Sequence, residues 1–370
     1  MPKSAEKKAQ KAKAKTQKKK AKTGASGKAR KTATKSINLA LQGGGSHGAF
    51  AWGVLDRLLE DGRVDIEATT SASAGSMNAV VLAHGLTEGG PQAARAALHN
   101  FWERVSGASR YAFDPSSAAF TAPPFLGPDW QPMFQEFFVD TFTRLTSPYQ
   151  LNPLNINPLR SILEESVDFE RLREASAIKL FISATNVRSG KIKIFEQREL
   201  SADTVMASAC LPFLFQAVEI DGEAYWDGGY MGNPPIYPLI YNCDSRDVVV
   251  IHLNPITRTD IPKDPGAIID RVNEISFNSS LMREMRAIAF VTELIEKGQI
   301  VSRDLRQMLI HSIEAEDLMR DLSAASKLNP EWAMLVRLRD EGRAVAERWL
   351  DMNFDDLGSR STVDIRDKYL

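Results

Sequence analysis

Leu39-Ala40-Leu41-Gln42-Gly43-Gly44-Gly45-Ser46-His47-Gly48 ends the first apolar run of the chain on three glycines, and Ser71-Ala72-Ser73-Ala74-Gly75 ends the second. The interval between them is that of one strand–helix–strand crossover. Ile37 to Leu41 is short, apolar and bounded by glycine, as a buried parallel strand is. Phe50, Val54, Leu55, Leu58 and Leu59 share a helical face, and Asp61-Gly62 closes that helix. Val64 to Thr70 reads as the second strand, which puts Ser73 at its carboxyl end, the edge where open α/β sheets bind ligands.

The residue types at these two ends suit acyl transfer. A tetrahedral intermediate needs an exposed hydroxyl beside backbone N–H groups free of other partners. Glycine offers such groups best, because without a Cβ it permits positive φ and close approach of a ligand oxygen. A strand-to-helix elbow lifts a serine hydroxyl out at a helix N-terminus, and the turn crowds the positions two before and two after it. Ser71 and Gly75 are small enough to flank Ser73 there, and Met77 to Leu82 continues as an apolar helix whose dipole favours negative charge at the serine.

The chain has 370 residues and a formal net charge of −1. That average hides an asymmetry: Met1 to Lys35 carries 14 Lys/Arg against one acid, while the remainder has 32 basic and 46 acidic residues. Residues 1–35 have almost nothing apolar to bury and read as a disordered basic tail. It is either a solubilising extension or an attachment to a polyanion such as an anionic membrane, where each basic residue contributes roughly 1 kcal/mol. No secretory signal or spanning segment is evident. Cys210 and Cys243 lack CxxC spacing and suit free thiols in a reducing compartment. The expected location is therefore cytoplasmic, either free or peripheral to an anionic membrane surface.

Residues 36–258 read as one α/β catalytic domain. Within it, residues 101–169 hold an insert rich in Phe and Pro, which is either a greasy wall for an acyl chain or the core of a subdomain. The sheet resumes at Ile178 to Ala184, with Lys191 to Phe195 as a pairing strand. Ala207-Ser208-Ala209-Cys210-Leu211-Pro212 reads as a helix stopped by proline. Ala224-Tyr225-Trp226-Asp227-Gly228-Gly229 puts an acid and two glycines on a strand end, which is either a second chemical position or an Asp-Gly hairpin turn. Residues 259–370 read as helical, with apolar spacing over Ile268 to Ile295 and Glu331 to Leu350. These helices pack against the α/β domain, or else serve dimerisation or membrane contact.

With those residues assembled, the chain resembles the patatin-like phospholipase family over about Ile37 to Pro255. The resemblance rests on GGGxxG after strand one, a serine elbow on strand two, an ASxxLPxxF-like stretch and a later DGG. It implies a three-layer α/β/α fold with a mainly parallel sheet, and a lipid acyl hydrolase of the phospholipase or esterase type without metal or organic cofactor. It implies Ser73 as nucleophile, Asp227 as base and Gly43, Gly44 and Gly45 as the oxyanion loop, supported by His47, Gly48, Ser71, Gly75, Gly228 and Gly229. Two positions depart from the pattern. Ser71 stands where the elbow opens with glycine, and would be strained at positive φ. His47 stands where the glycine loop carries Arg or Lys, and lacks a permanent charge.

Three other readings remain open on sequence. A Ser-His-Asp triad would draw on His252, the best placed of five histidines. Gly43-x-Gly45-x-x-Gly48 fits a dinucleotide fingerprint, but the end of strand two offers a serine rather than a ribose-binding acid. A third reading keeps the fold as an inactive binder of lipid or of an anionic surface. No zinc-type ligand spacing appears, and phospholipid, neutral lipid and simple ester are all open as substrates.

Overall fold

The first strand shows how the layers arise. Along β1 (Lys35–Leu41), Ile37, Leu39 and Leu41 enter one apolar core while Ala40 enters a second on the opposite face. A strand buried on both faces needs helices on both, so the run that reads as a parallel strand also dictates three layers. The computed structural model describes residues 34–112, 147–300, 305–322 and 325–370. The basic tail up to residue 33 and the aromatic stretch from Phe113 to Phe142 lie outside them. Lys35, counted with the tail on sequence, instead begins β1, and its ammonium donates to the carbonyls of Phe354, Asp355 and Leu357 at 2.8–2.9 Å.

After β1 come α1 (Gly48–Asp61), stopped by Gly62 in the left-handed region, and β2 (Val64–Ser71). The next helical stretch, α2 (Ala74–Ala112), is broken at Gly89-Gly90 just before Pro91, whose ring and missing N–H interrupt the helical ladder. Residues 101–112, read above as the start of an irregular insert, therefore belong to a helix, with Phe101 and Trp102 in the core. The end of the insert is itself helical, as α3 (Pro158–Ser166), and α4 (Phe169–Ala175), β3 (Lys179–Asn186) and β4 (Ile192–Glu196) follow. Next are α5 (Ala202–Ser208), β5 (Val218–Ile220), β6 (Glu223–Asp227), α6 (Tyr237–Asn242) and β7 (Asp247–Ile251). The chain ends with α7 (Pro265–Glu296), β8 (Leu309–Ile313), α8 (Trp332–Asn353) and α9 (Ile365–Tyr369).

The strands form one mixed sheet in the order β5-β6-β3-β2-β1-β7-β8, with β4 also paired to β3. The five strands β3, β2, β1, β7 and β8 run parallel, and β4, β5 and β6 enter through antiparallel pairs. Residues 259–370 thus supply a strand as well as helices. The run Leu309-Ile-His-Ser-Ile313 hides it by placing two polar residues mid-strand. His311 is satisfied there by Asp247 at 2.9 Å and Thr362 at 3.0 Å. Helix α8 lies against α1, where Gly53 faces the Arg339 carbonyl and Gly342 faces the Phe50 carbonyl too closely for a Cβ at either place.

One feature of the register positions the site. Ile182 of β3 pairs with Ser71 on one side and Phe195 on the other, while Ala184 pairs with Asp227 and Lys193. Because β4 fills one side of both residues, β2 and β6 share the other side and abut end to end. Asp227 therefore comes two residues beyond Ser71 along β3, a separation of about 6–7 Å.

Candidate active site

Ser73 lies two residues past the end of β2 and has φ 53, a left-handed conformation that costs a non-glycine residue roughly 1–2 kcal/mol. The surroundings hold it there. Its N–H donates to Ser208 Oγ at 3.0 Å, and its carbonyl accepts from Ser76 and Met77 at the start of α2. Gly75 passes so near the Leu41 carbonyl that no side chain fits. The hydroxyl sits at a helix N-terminus with 9% of the residue exposed, as expected of an elbow.

Ser71 carries none of the strain feared for it. It lies within β2 at an ordinary negative φ, its hydroxyl shared with Ser76 at 3.1 Å and its carbonyl accepting from Ser183 at 2.9 Å. The departure at this position is a small polar strand residue at ordinary φ.

Asp227 ends β6 and is fully buried. Gly228 begins a 3-10 turn, and Gly229 donates its N–H to Asp227 Oδ1 at 2.7 Å. Gly228 packs on Ser183 and Gly229 on the Phe277 ring, both without room for a Cβ. The second carboxylate oxygen, Oδ2, has no hydrogen bond of good geometry among the described residues. Burial pushes the pKa up to about 6, opposed by the Gly229 N–H, the nearby Ser73 hydroxyl and the Lys327 charge. The Asp-Gly of the hairpin turn is elsewhere: Asp221-Gly222, at φ 51 and 79, joins β5 to β6.

The glycine loop leaves β1 over these two residues. A Cβ on Gly43 would come within 2.7 Å of Ser73 Cβ, so glycine here lets the loop touch the serine. The Gly43 N–H, expected to bind an oxyanion, already donates to Asn233 Oδ1 at 2.6 Å. The N–H groups of Gly44 and Gly45 have no partner among the described residues. Gly48 packs on Ala74 and Trp102, closing the loop against α2. His47 is buried and its Nε2 meets Ser326 Oγ at 2.7 Å. Burial, reinforced by the Lys327 charge, lowers its pKa to about 3, so it is neutral at physiological pH.

The competing constellations do not assemble. His252 meets the Tyr369 hydroxyl at 2.8 Å, and burial, with the Lys368 charge, lowers its pKa to about 3. Glu67, on the strand that a dinucleotide would need, is occupied by the N–H groups of Asp244 and Ser245. Both cysteines are buried and unpaired; burial, then Asp227, pushes Cys210 up to about 12. No three His, Cys, Asp or Glu are placed to hold a metal among the described residues, and none of their helices is long and apolar enough to cross a membrane.

A family model described as patatin-like phospholipase matches residues 39–240, more than half of the chain. The chain belongs to the patatin-like phospholipase family. Among solved structures, this patatin-like chain is similar to VipD from Legionella pneumophila, at 16% identity over 84% of this chain and 68% of that one, with TM-score 0.38. It is also similar to full-length ExoU from Pseudomonas aeruginosa, solved with SpcU, at 12% identity over 86% and 53% of the two chains, with TM-score 0.30. A second ExoU–SpcU structure matches at 15% identity over 87% and 72%, also with TM-score 0.30. No curated protein matches the chain.

Ser208, Asn233, Asn254 and Gln42 complete the patatin-like site without having been singled out on sequence. Gln42 Oε1 accepts from the N–H groups of Leu253 and Asn254 at 2.8 and 3.0 Å, and its Nε2 donates to Asn278 Oδ1 at 3.1 Å. Ser208 lies in the ASxxLPxxF-like stretch and Gln42 directly follows β1, whereas Asn233 and Asn254 lie in loops without a comparable local signal.

Proposed function

We propose that this chain hydrolyses a lipid acyl ester through a Ser73–Asp227 dyad and an acyl-enzyme. The observation that carries the reading is a serine held at φ 53 beside a buried carboxyl whose pKa is pushed up to about 6. An ordinary carboxylate is too weak a base for a hydroxyl; burial makes Asp227 a stronger one that is still ionised at neutral pH.

Asp227 takes the proton from Ser73 as Oγ attacks the ester carbonyl carbon. The carbonyl oxygen, now an anion, receives the N–H groups of Gly44 and Gly45. Collapse breaks the bond to the leaving oxygen, which takes the proton back from Asp227 and departs as an alcohol. Water then repeats the sequence on the acyl-enzyme, giving its proton to Asp227 and releasing the acid as Ser73 recovers the proton. Phospholipid is the substrate class that family membership favours. The basic residues of Met1 to Lys35 bring the enzyme to an anionic membrane from the cytoplasm.

Release of p-nitrophenol from medium-chain esters tests the reading. Ser73→Ala should fall to the uncatalysed rate, and equal rates in the two proteins would overturn it. Sedimentation with anionic liposomes should lose most bound protein when residues 1–33 are removed; unchanged binding would remove the tail from the account.

A further inference from the structure

The 3-10 turn Ala325–Leu328 lies on the glycine loop. The Lys327 carbonyl sits against Gly45, whose φ of 57 and lack of Cβ admit it. From there the Lys327 ammonium donates to Asn254 Oδ1 at 2.7 Å, and Asn254 Nδ2 donates onward to the Gly43 carbonyl at 3.0 Å. Lys327 has no salt bridge among the described residues; its neighbour Glu274 is held by Arg258 and Arg271 at 2.5 and 3.1 Å. The ammonium of a half-buried lysine thus ends a chain of two hydrogen bonds that stops on one peptide of the cradle.

That peptide is the one whose other end is the Gly44 N–H. In a trans peptide the carbonyl and the following N–H point opposite ways, so fixing the Gly43 carbonyl fixes the aim of the Gly44 N–H. Hydrogen bonds in series polarise one another, more so with a charge at the end. We propose that Lys327 is a positioning residue of the acyl-transfer site, aiming and polarising the Gly44 N–H through Asn254. The proposal rests on Ser73 being the nucleophile. It gives residues 259–370 a part in the chemistry.

The charge has a second, independent readout at Asp227. The groups facing that carboxyl are Ser73, Lys327, Cys210 and Tyr230, the last two pushed up to about 12 and silent in acid. His47, at about 3, is silent above pH 5. Burial lowers the pKa of Lys327 itself, as does Arg258, while the facing carboxylates Glu274, Asp270 and Asp227 oppose that and favour the ammonium. Among the described residues, Lys327 is the cation that holds Asp227 down, so loss of the ammonium moves the acid limb of kcat/KM to higher pH.

The test compares Lys327→Met, Lys327→Arg and Asn254→Leu in the full chain. It reads kcat and KM on p-nitrophenyl butyrate and the rate at which a fluorophosphonate labels Ser73. Lys327→Met should lower kcat and labelling about 10- to 100-fold, less than the roughly 10²- to 10³-fold loss of a donor outright. KM should stay near wild type and the acid limb should rise. Lys327→Arg should recover most of the rate, and Asn254→Leu should add nothing to Lys327→Met. A merely structural lysine would lower the melting temperature and leave the acid limb in place, which would overturn the proposal. So would full-rate labelling of Ser73 in Lys327→Met, with the nucleophile intact. Wild-type protein in which Ser73 takes no label would overturn both the nucleophile and the lysine's role.

Discussion

Asp227 carries opposed demands on stability and chemistry. Its pKa in the fold, about 6, lies above the ordinary 3.8. Below 3.8 the carboxyl is protonated folded or unfolded and burial is free of charge; above 6 the fold must hold an ionised group, which costs on the order of 3 kcal/mol. Asp227→Asn should therefore abolish turnover yet raise stability at pH 8 by about 1–3 kcal/mol, with the gain gone at pH 4. Denaturant unfolding at the two pH values checks this, and a variant less stable than wild type at pH 8 would refute it. Because the base must be ionised, kcat/KM should climb as pH rises through about 6 and level off above it. A profile flat from pH 5 to 8 would assign the proton to another group. Ser73 and Asp227 were legible in sequence because each sits at a strand end marked by small residues. Asn233, Asn254 and Lys327 were not, since their roles rest on bonds such as Asn254 to Gly43, 211 positions apart.

At the scale of elements, the two halves of the site meet because β2 and β6 share one side of β3, a register that strand patterns do not encode. The helix boundaries were more accessible. Gly62 ends α1 where Asp61-Gly62 was read, and the spacing over Ile268 to Ile295 appears as α7. Ser71 shows the limit of pattern reading: a departure from a family motif signals strain only if φ is positive, and here it is not. The α1–α8 contact is the element most exposed to a single change. Gly342→Val would drive a side chain into the Phe50 carbonyl, and overpacking of this kind costs about 1–3 kcal/mol. The urea midpoint should fall accordingly, with kcat unchanged well below the transition; an unaltered midpoint would show that the helices part easily.

Across the whole molecule, residues 259–370 are bound into the sheet and both cores. β8 covers the edge of β7, and α8 contributes Leu335, Leu338, Ala346 and Trp349 to the core that contains α1. A chain ended at Arg258 leaves an open parallel edge and an uncovered helix face, and should be recovered as aggregate; a soluble, cooperatively unfolding fragment would contradict this. The three-layer α/β/α plan was implied by the family resemblance, and a first strand buried on both faces gives its physical reason. The strand within 309–313 escaped because His311 and Ser312 interrupt its apolar run, and the partners of His311 come from far along the chain. The central claim, that Ser73 becomes acylated with Asp227 as its base, is tested most directly by acid-quenching the enzyme during turnover of a p-nitrophenyl ester and mapping the acyl group by mass spectrometry. The account predicts acyl on the peptide holding Ser73, and none in Ser73→Ala or Asp227→Asn. Steady hydrolysis with no acyl group at Ser73 would contradict it.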